Sequence, residues 1–231
     1  MEVDTEGHSS NDVITFPSLP TLHDNPDWEY TMRRTMQEII PNLYLGPYSS
    51  ACRSQLDVLQ STGITHIICI RHPVEVNRVR PNFPDLFSYL VLDVRDDQDE
   101  QIMKFFPVIK DFIHGCMTNN GKVLIHGNGG ISRSAALVIA YLMETYGLTY
   151  TRAYNYVQQK RFCINPNEAF VRQLMEYEPI YLAKHQLNIT SCDQNRETSK
   201  RTFDDSDDES TAGISQPFKS PTKRVHDFYD H

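Results

Sequence analysis

The sequence contains no pair of cysteines at the C-x-x-C spacing of a zinc site or a redox motif. Its five cysteines are odd in number and scattered along the chain: Cys52, Cys69, Cys116, Cys163 and Cys192. This pattern argues against both a disulfide framework and a metal site, and it fits a reducing compartment. We therefore expect no metal and no cofactor.

A long hydrophobic run is also missing. The longest, residues 135–143, is far shorter than the ~20 residues that a helix needs to cross a bilayer. The N-terminus is acidic and lacks the basic-then-apolar order of a signal peptide. These absences predict a protein that stays inside the cell and has no membrane partner.

The central part of the chain lacks an excess of positive charge. The whole chain has a net charge of -8, yet residues 28–184 hold 16 Lys and Arg against 15 Asp and Glu. Nucleic-acid binding needs a clustered basic face that engages the phosphate backbone, so we expect no nucleic-acid partner. Any anion site in this region must be local.

Composition divides the chain into three segments. Residues 1–27 are polar and interrupted by prolines, which predicts a flexible N-terminal arm. Polar and acidic residues dominate after residue 184, which predicts a disordered tail over 185–231. We expect one folded domain over residues 28–184.

Short apolar runs alternate with helical stretches within that domain. The predicted strands cover residues 42–45, 64–70, 89–94 and 122–126. The predicted helices cover residues 50–61, 101–117, 132–146, 150–161 and 166–184. Such alternation predicts an α/β domain whose central sheet is covered by helices on both faces.

The most informative segment, residues 123–135, reads V-L-I-H-G-N-G-G-I-S-R-S-A, a strand followed by a glycine-rich loop and a helix start. Glycines let successive N–H groups point inward, and the helix adds its positive N-terminal end. Arg133 can grip two oxygens of a phosphate or sulfate. Its alternative interpretation, a surface or structural arginine, leaves the surrounding pattern unexplained. The predicted phosphate-binding residues are Gly127, Asn128, Gly129, Gly130, Ile131, Ser132 and Arg133.

The loop lacks the lysine and hydroxyl residue of the G-x-x-x-x-G-K-[ST] motif, so ATP and GTP are not expected ligands. It resembles instead the H-C-x-x-G-x-x-R-S signature of protein tyrosine and dual-specificity phosphatases. His126, Gly130, Arg133 and Ser134 match that signature, and Gly127 occupies the position of its cysteine.

The resemblance continues outside this loop, through E-I-I-P-N-L-Y-L-G at 38–46 and a further stretch over 153–174, and so covers about residues 28–184. A glycine in H-G-N-x-G-I-S-R-S is similar to the serine/threonine/tyrosine-interacting pseudophosphatases, a small branch of the dual-specificity family. The resemblance implies a dual-specificity phosphatase-like fold with a central mixed sheet.

The resemblance also implies that catalysis is lost. In active members a cysteine thiolate attacks phosphorus, and Gly127 has no side chain that can do so. Neither Ser132 nor Ser134 is an activated substitute. Residual activity through another nucleophile would need an activated group that the sequence does not show.

Three further residues take their expected roles from the family. Asp96 corresponds to the general acid, here vestigial; its acidic neighbours leave a solvated acidic loop as the alternative. His126 is expected to orient the loop by hydrogen bonding. The hydroxyl of Ser134, which would donate to the thiolate in an active member, is expected to cap the following helix.

Two functions remain open. In the first, the chain is a catalytically inactive module that binds phosphotyrosine, phosphothreonine or phosphoserine proteins and acts as an anchor or competitor in kinase signalling. In the second, it is a scaffold that binds partners through other surfaces while the pocket is vestigial. By resemblance, the expected partners include MAP-type kinases and F-box proteins of ubiquitin ligases, and the expected location is cytoplasmic and nuclear.

Overall fold

Five β-strands form one sheet in the computed structural model, which describes residues 15–21 and 27–200, the side chains of 188–200 excepted. In chain order the strands are β1 (Gln37–Ile40), β2 (Leu43–Pro47), β3 (Ile64–Arg71), β4 (Ser88–Asp93) and β5 (Lys122–Gly127). They lie side by side in the order β1-β2-β5-β3-β4. β1 runs antiparallel to β2 and the other neighbours are parallel, so the mixed α/β sheet is confirmed.

Helices connect and cover these strands. Within the described residues they are α1 (Leu56–Thr62), α2 (Phe106–Thr118), α3 (Arg133–Tyr146), α4 (Tyr150–Lys160) and α5 (Glu168–Lys200). Short 3-10 turns precede α1 and α2. Residues 133–144 of α3 are all buried, as expected for a helix that is apolar around its circumference.

The two faces of the sheet bury separate apolar clusters. Leu124 packs with Leu59 of α1 on one face. Its neighbour Ile125 packs on the other face with α2 and α3, for example with Ile109 and Val138. Alternate strand residues point to opposite faces, so β5 contributes to both clusters and is buried along most of its length. The prediction that helices cover both faces of the sheet is thereby confirmed.

Three elements differ from the sequence-based prediction. β1 was not predicted, because four residues at a sheet edge are too short to show an alternating pattern. The α-helix predicted from residue 50 begins only at Leu56, because 3-10 turns occupy 48–51 and 53–55. The helix predicted to end at 184 continues to Lys200, since residues 185–200 contain neither glycine nor proline to end it.

Part of the predicted flexible arm packs against the domain, which corrects that prediction for residues 15–21. Phe16 and Leu19 contact the larger apolar cluster, and the hydroxyl of Tyr156 donates to the carbonyl oxygen of Pro20 at 3.1 Å. The apolar residues of this segment give it a surface to bury. The rest of the predicted arm, at 1–14 and 22–26, and the predicted tail over 201–231 lie outside the described residues.

The carboxyl end of β5 is the part of the sheet that positions the candidate site. β5 lies between β2 and β3, is parallel to both and leads directly into the loop before α3. Carboxyl ends of parallel strands meet at one edge of a sheet, which is where open α/β sheets bind ligands.

Among the described helices, none is both long and apolar enough to span a bilayer.

Candidate anion-binding site

A pocket with a volume of ≈ 270 Å³ marks this edge. It is formed by the end of β5, the loop over residues 128–132 and the first turn of α3. The residues predicted to bind phosphate, Gly127 to Arg133, all line it, together with Asp96 and Ser134. We call the structure formed by residues 127–134 the cradle.

The carbonyl oxygens of the cradle loop all accept hydrogen bonds from residues that do not line the pocket. Asn128 O accepts from the N–H of Tyr48 at 3.1 Å, and Ile131 O accepts from the N–H of Asn165 at 2.8 Å. Those of Gly129 and Gly130 accept from Arg161, and that of Ser132 accepts the first hydrogen bond of α3. In a trans peptide unit the N–H points away from the C=O, so this loop turns its N–H groups toward the pocket.

Gly130 is the residue at which the loop requires glycine. Its φ is +65°, in the left-handed region, and a Cβ there would lie 2.4 Å from the carbonyl oxygen of Gly46. A side chain at this position would clash with the backbone of β2, which has little freedom to move. The glycine therefore allows the loop to pack tightly against the neighbouring strand.

Arg161 holds the loop from behind, a role that sequence reasoning missed. Its side chain is fully buried, and its Nε donates to Gly130 O at 2.9 Å while Nη2 donates to Gly129 O at 3.1 Å. The same guanidinium also bonds to the backbone of Arg33 and Thr35 and to the side chain of Gln37. It thereby ties the cradle to the segment that leads into β1. Its place within the family-like stretch at 153–174 was the only signal in the sequence.

Arg133 is held by a carboxylate that sequence reasoning also missed. Its Nη1 lies 2.9 Å from Oε2 of Glu75, and its Nη2 lies 3.4 Å from Oε1. Nη1 also donates to the carbonyl oxygen of Val94 at 3.2 Å. These contacts fix the plane of the guanidinium. No sequence motif marks Glu75, which lies in the connection after β3, and only the fold brings it to the cradle.

Glu75 is stabilised as a carboxylate. Burial acts to raise its pKa, but hydrogen bonds from Arg133, the backbone N–H of His72 and the side chain of Asn128 outweigh that effect, so the pKa is lowered. Glu75 therefore stays ionised and places a negative charge beside the cradle.

Asp96 lines the pocket and approaches the Nε side of the Arg133 guanidinium. Its Oδ1 accepts hydrogen bonds from Ser132 Oγ and from Asn167 Nδ2, both at 2.7 Å, and its Oδ2 lies 3.7 Å from Nε of Arg133. Its acidic neighbours make other contacts: Asp93 pairs with Arg71 outside the pocket. Of the acidic residues in this loop, Asp96 is the one that lines the cradle.

Gly127 lines the pocket, and a Cβ at this position would make one tight contact. A Cβ there would lie 3.3 Å from the hydroxyl oxygen of Ser134 and 3.5 Å from the carbonyl oxygen of Ile70. A Cβ atom is therefore accommodated if the Ser134 hydroxyl shifts by a few tenths of an ångström.

His126 and Ser134 are both buried beside the cradle. Within the described residues neither ring nitrogen of His126 makes a hydrogen bond of good geometry, although the ring interacts with the Gly127 backbone next to it. The ring packs instead beside Tyr48, with ring centroids 5.8 Å apart. Ser134 does not cap α3, because it lies inside the first turn while Ser132 is the N-cap residue, and its hydroxyl faces Gly127.

None of the four cysteines whose side chains are described lines the cradle. Cys69 pairs with His126 in the sheet, but it is fully buried and burial raises its pKa to about 12, so it remains a thiol. Cys116 lies at the end of α2, near Thr65 and the start of β5. It is at the opposite end of that strand from the cradle and cannot reach it.

The family assignment follows from comparison with known proteins. The family profile described as "Dual specificity phosphatase, catalytic domain" matches residues 43–180, which include most of the sheet and the whole cradle. The chain belongs to the dual-specificity phosphatase family. This confirms the family named from the signature around Gly127.

Relatives that are 56–60% identical to this chain carry a name that does not describe a phosphatase. "Serine/threonine/tyrosine-interacting protein A" of Xenopus laevis is 56% identical over 206 residues, covering 84% of this chain and 92% of the relative. The human serine/threonine/tyrosine-interacting protein is 60% identical over 179 residues, covering 77% and 80%. A crystal structure of the human tyrosine phosphatase-like serine/threonine/tyrosine-interacting protein has a TM-score of 0.64 and 63% identity, covering 64% of this chain and 99% of that one. The branch suggested by H-G-N-x-G-I-S-R-S is thereby confirmed.

Proposed function

We propose that this chain binds phosphorylated proteins through the cradle and does not hydrolyse them. The observation that carries this proposal is a cradle with inward N–H groups and a fixed Arg133, at whose floor residue 127 has no side chain. Phosphate binding and phosphate hydrolysis are separable here, because the loop N–H groups and Arg133 would bind the phosphate whereas hydrolysis would need a nucleophilic side chain at residue 127.

Recognition rests on donors that are already oriented. Arg133 and the loop N–H groups converge on one pocket, and hydrogen bonds to charged groups contribute ~1.5–3 kcal/mol each. The N-terminal end of α3 adds a favourable field for an anion. Because Arg161, Tyr48 and Asn165 hold the loop from outside, little ordering is needed when an anion binds.

Loss of turnover rests on chemistry. Transfer of a phosphoryl group to the enzyme requires a nucleophile in line with phosphorus, and Gly127 supplies none. Removal of a nucleophile in another hydrolase lowers turnover by roughly 10⁶-fold, which sets the scale of the loss. Asp96 then has no leaving group to protonate, and its contacts with Ser132 and Asn167 leave it a structural role at the pocket rim.

The proposed partner class is phosphorylated proteins of kinase signalling. MAP-type kinases and F-box proteins, which the family resemblance implies, belong to the same proposal, as do the cytoplasmic and nuclear location.

A second candidate function is a scaffold whose pocket is vestigial. It is favoured by one observation: Glu75 and Asp96 already neutralise Arg133 from two sides, so an incoming phosphate must share the guanidinium with two carboxylates. Under this alternative, partners bind to other surfaces of the domain.

The Arg133→Lys variant discriminates between these functions. Lysine keeps the charge opposite Glu75 but cannot grip two oxygens. Calorimetry with phosphotyrosine and phosphothreonine peptides and their unphosphorylated forms should show that wild type prefers the phosphorylated forms and that the variant loses at least ~10-fold in that preference.

Arg71→Lys is the matched control, because Arg71 is ion-paired with Asp93 at 2.8 Å outside the cradle lining. It should bind like wild type. Equal binding of phosphorylated and unphosphorylated peptides by wild type would overturn the proposed function and leave the scaffold.

A further inference from the structure

Ser134 has a buried hydroxyl with no partner at the floor of the cradle. Its side chain is 1% exposed, and its Oγ makes no hydrogen bond within the described part of the chain. A buried hydroxyl without a partner is destabilising, so a folded protein keeps one only with a compensating reason.

The carbonyl oxygen that would usually accept from the Ser134 hydroxyl is bonded to another residue. A serine inside a helix commonly donates to the carbonyl oxygen four residues earlier, which here belongs to Gly130. That oxygen accepts from Nε of Arg161 on the outer side of the loop. Ser134 is one of the residues that line the pocket, and its Oγ lies 3.3 Å from the position that a Cβ on Gly127 would occupy.

Other buried hydroxyls of the described region do not share this position. Ser50 and Tyr89 also lack partners, but neither lines the cradle. The combination of an unpaired donor, an adjacent glycine and an anion pocket occurs at Ser134.

We propose that Ser134 is itself a phosphate ligand, and that its hydroxyl donates to an oxygen of the bound phosphate seated against Gly127. This inference rests on the proposed function and deepens it. The absence of a side chain at residue 127 removes the nucleophile and also lets an anion oxygen enter the space that a cysteine side chain would fill. The anion is thereby bound by Arg133, the loop N–H groups and Ser134 together.

Two single substitutions test the proposed contact between the Ser134 hydroxyl and a phosphate oxygen. Ser134→Ala removes the donor. Gly127→Ala keeps the donor but places a methyl group 3.3 Å from it, where the anion oxygen would sit. Residue 127 does not have a positive φ, so the alanine introduces no backbone strain. Each variant should weaken binding of inorganic phosphate, Ser134→Ala by about tenfold, as expected for loss of one hydrogen bond to a charged acceptor.

The double variant sharpens the test. If both changes disrupt the same contact, the combined loss in affinity should be clearly smaller than the product of the two single losses. Ser50→Ala is the matched control, because it removes another buried, unpaired hydroxyl from outside the cradle. It should bind phosphate like wild type.

The experiment is titration of the full chain with inorganic phosphate, and separately with tungstate, followed by the amide resonances of Gly129 and Gly130. Thermal unfolding of each variant confirms that it is folded. Weakened binding by Ser134→Ala and Gly127→Ala, with Ser50→Ala unchanged, supports the inference. Wild-type affinity in folded Ser134→Ala overturns it while leaving the proposed function standing. Failure of wild type to bind both anions also overturns the inference, whereas the proposed function is overturned by equal binding of phosphorylated and unphosphorylated peptides.

Discussion

Arg133 and Glu75 form a two-point ion pair at the cradle, with Nη1–Oε2 and Nη2–Oε1 distances of 2.9 and 3.4 Å. The pair has two opposed effects on anion binding. It holds the guanidinium in a fixed plane, and it brings a carboxylate close to the place where phosphate would bind.

Glu75→Gln should separate these effects. The amide keeps a similar shape and one oxygen that can accept from Arg133, while its NH2 group replaces the other acceptor, and the negative charge beside the anion is removed. We expect the dissociation constant for inorganic phosphate to fall by roughly threefold, the scale of one screened charge at several ångström. Calorimetry at low ionic strength and at 0.15 M salt measures it, and the gain should shrink with salt.

Glu100→Gln is the matched control, since Glu100 is a buried carboxylate paired with Lys104 and Arg95 and does not line the cradle. It should leave phosphate affinity unchanged. Weaker binding by Glu75→Gln would mean that the orientation of Arg133 by Glu75 outweighs its repulsion of the anion.

His126 should make the protein sensitive to acid. Burial lowers the pKa of its ring to about 4, and the Gly127 backbone opposes this only in part. In the unfolded chain its pKa is about 6.5. Between these two pKa values the ring is protonated in the unfolded chain but neutral in the folded protein. The free energy of unfolding should therefore fall as the pH is lowered from about 6.5 to about 4. Above pH 6.5 the contribution of the neutral ring is fully present.

Urea unfolding at pH 7, 6 and 5 measures this dependence, with a limiting slope of ~1.4 kcal/mol per pH unit from this residue. His126→Asn should be less stable at pH 7 but should lose this part of the slope. His114→Asn carries the same change on an exposed position of α2 and should retain the slope. An unchanged slope in His126→Asn would contradict the assignment.

Gly127→Cys should create phosphatase activity. A Cβ at residue 127 has only the Ser134 hydroxyl within 3.4 Å, which can rotate and donate to the new thiolate. Arg133 and the loop N–H groups already surround the position, and Asp96 lies on the pocket rim. Turnover of phosphotyrosine peptide should rise by roughly 10³-fold or more above wild type.

Gly127→Ser is the matched control, because its hydroxyl is similar in size but is not activated; it should remain inactive. Adding Asp96→Asn to Gly127→Cys should lower the turnover by roughly 10²-fold if Asp96 can act as the acid. A folded Gly127→Cys protein whose cysteine reacts with iodoacetamide but gives no turnover would show that the remaining groups are not in catalytic positions.

Secondary structure was predictable where residues interact with near neighbours in sequence. β3 and β5 are continuous apolar runs between breakers, and α3 follows a glycine loop, so local pattern sufficed for all three. β1 has four residues and depends on pairing with β2, which no local pattern shows. The packing of Phe16 on the domain is likewise a long-range contact.

The candidate site divides in the same way. Residues 127–133 are contiguous in the chain, so one motif identified them together, and they do line one pocket. Glu75 and Arg161 come from distant segments and contribute by contacts that only the fold creates. The orientation of Ser134, predicted to cap a helix, was decided by packing against Gly127.

By itself the sequence determined the family, the position of the anion loop and the absence of a nucleophile at Gly127, because each depends on residue identity at fixed spacing. Only the tertiary structure decided how the loop is held, which carboxylates share Arg133 and where the Ser134 hydroxyl points. Those features depend on distances between residues far apart in the chain, and such distances exist only once the sheet and helices have packed.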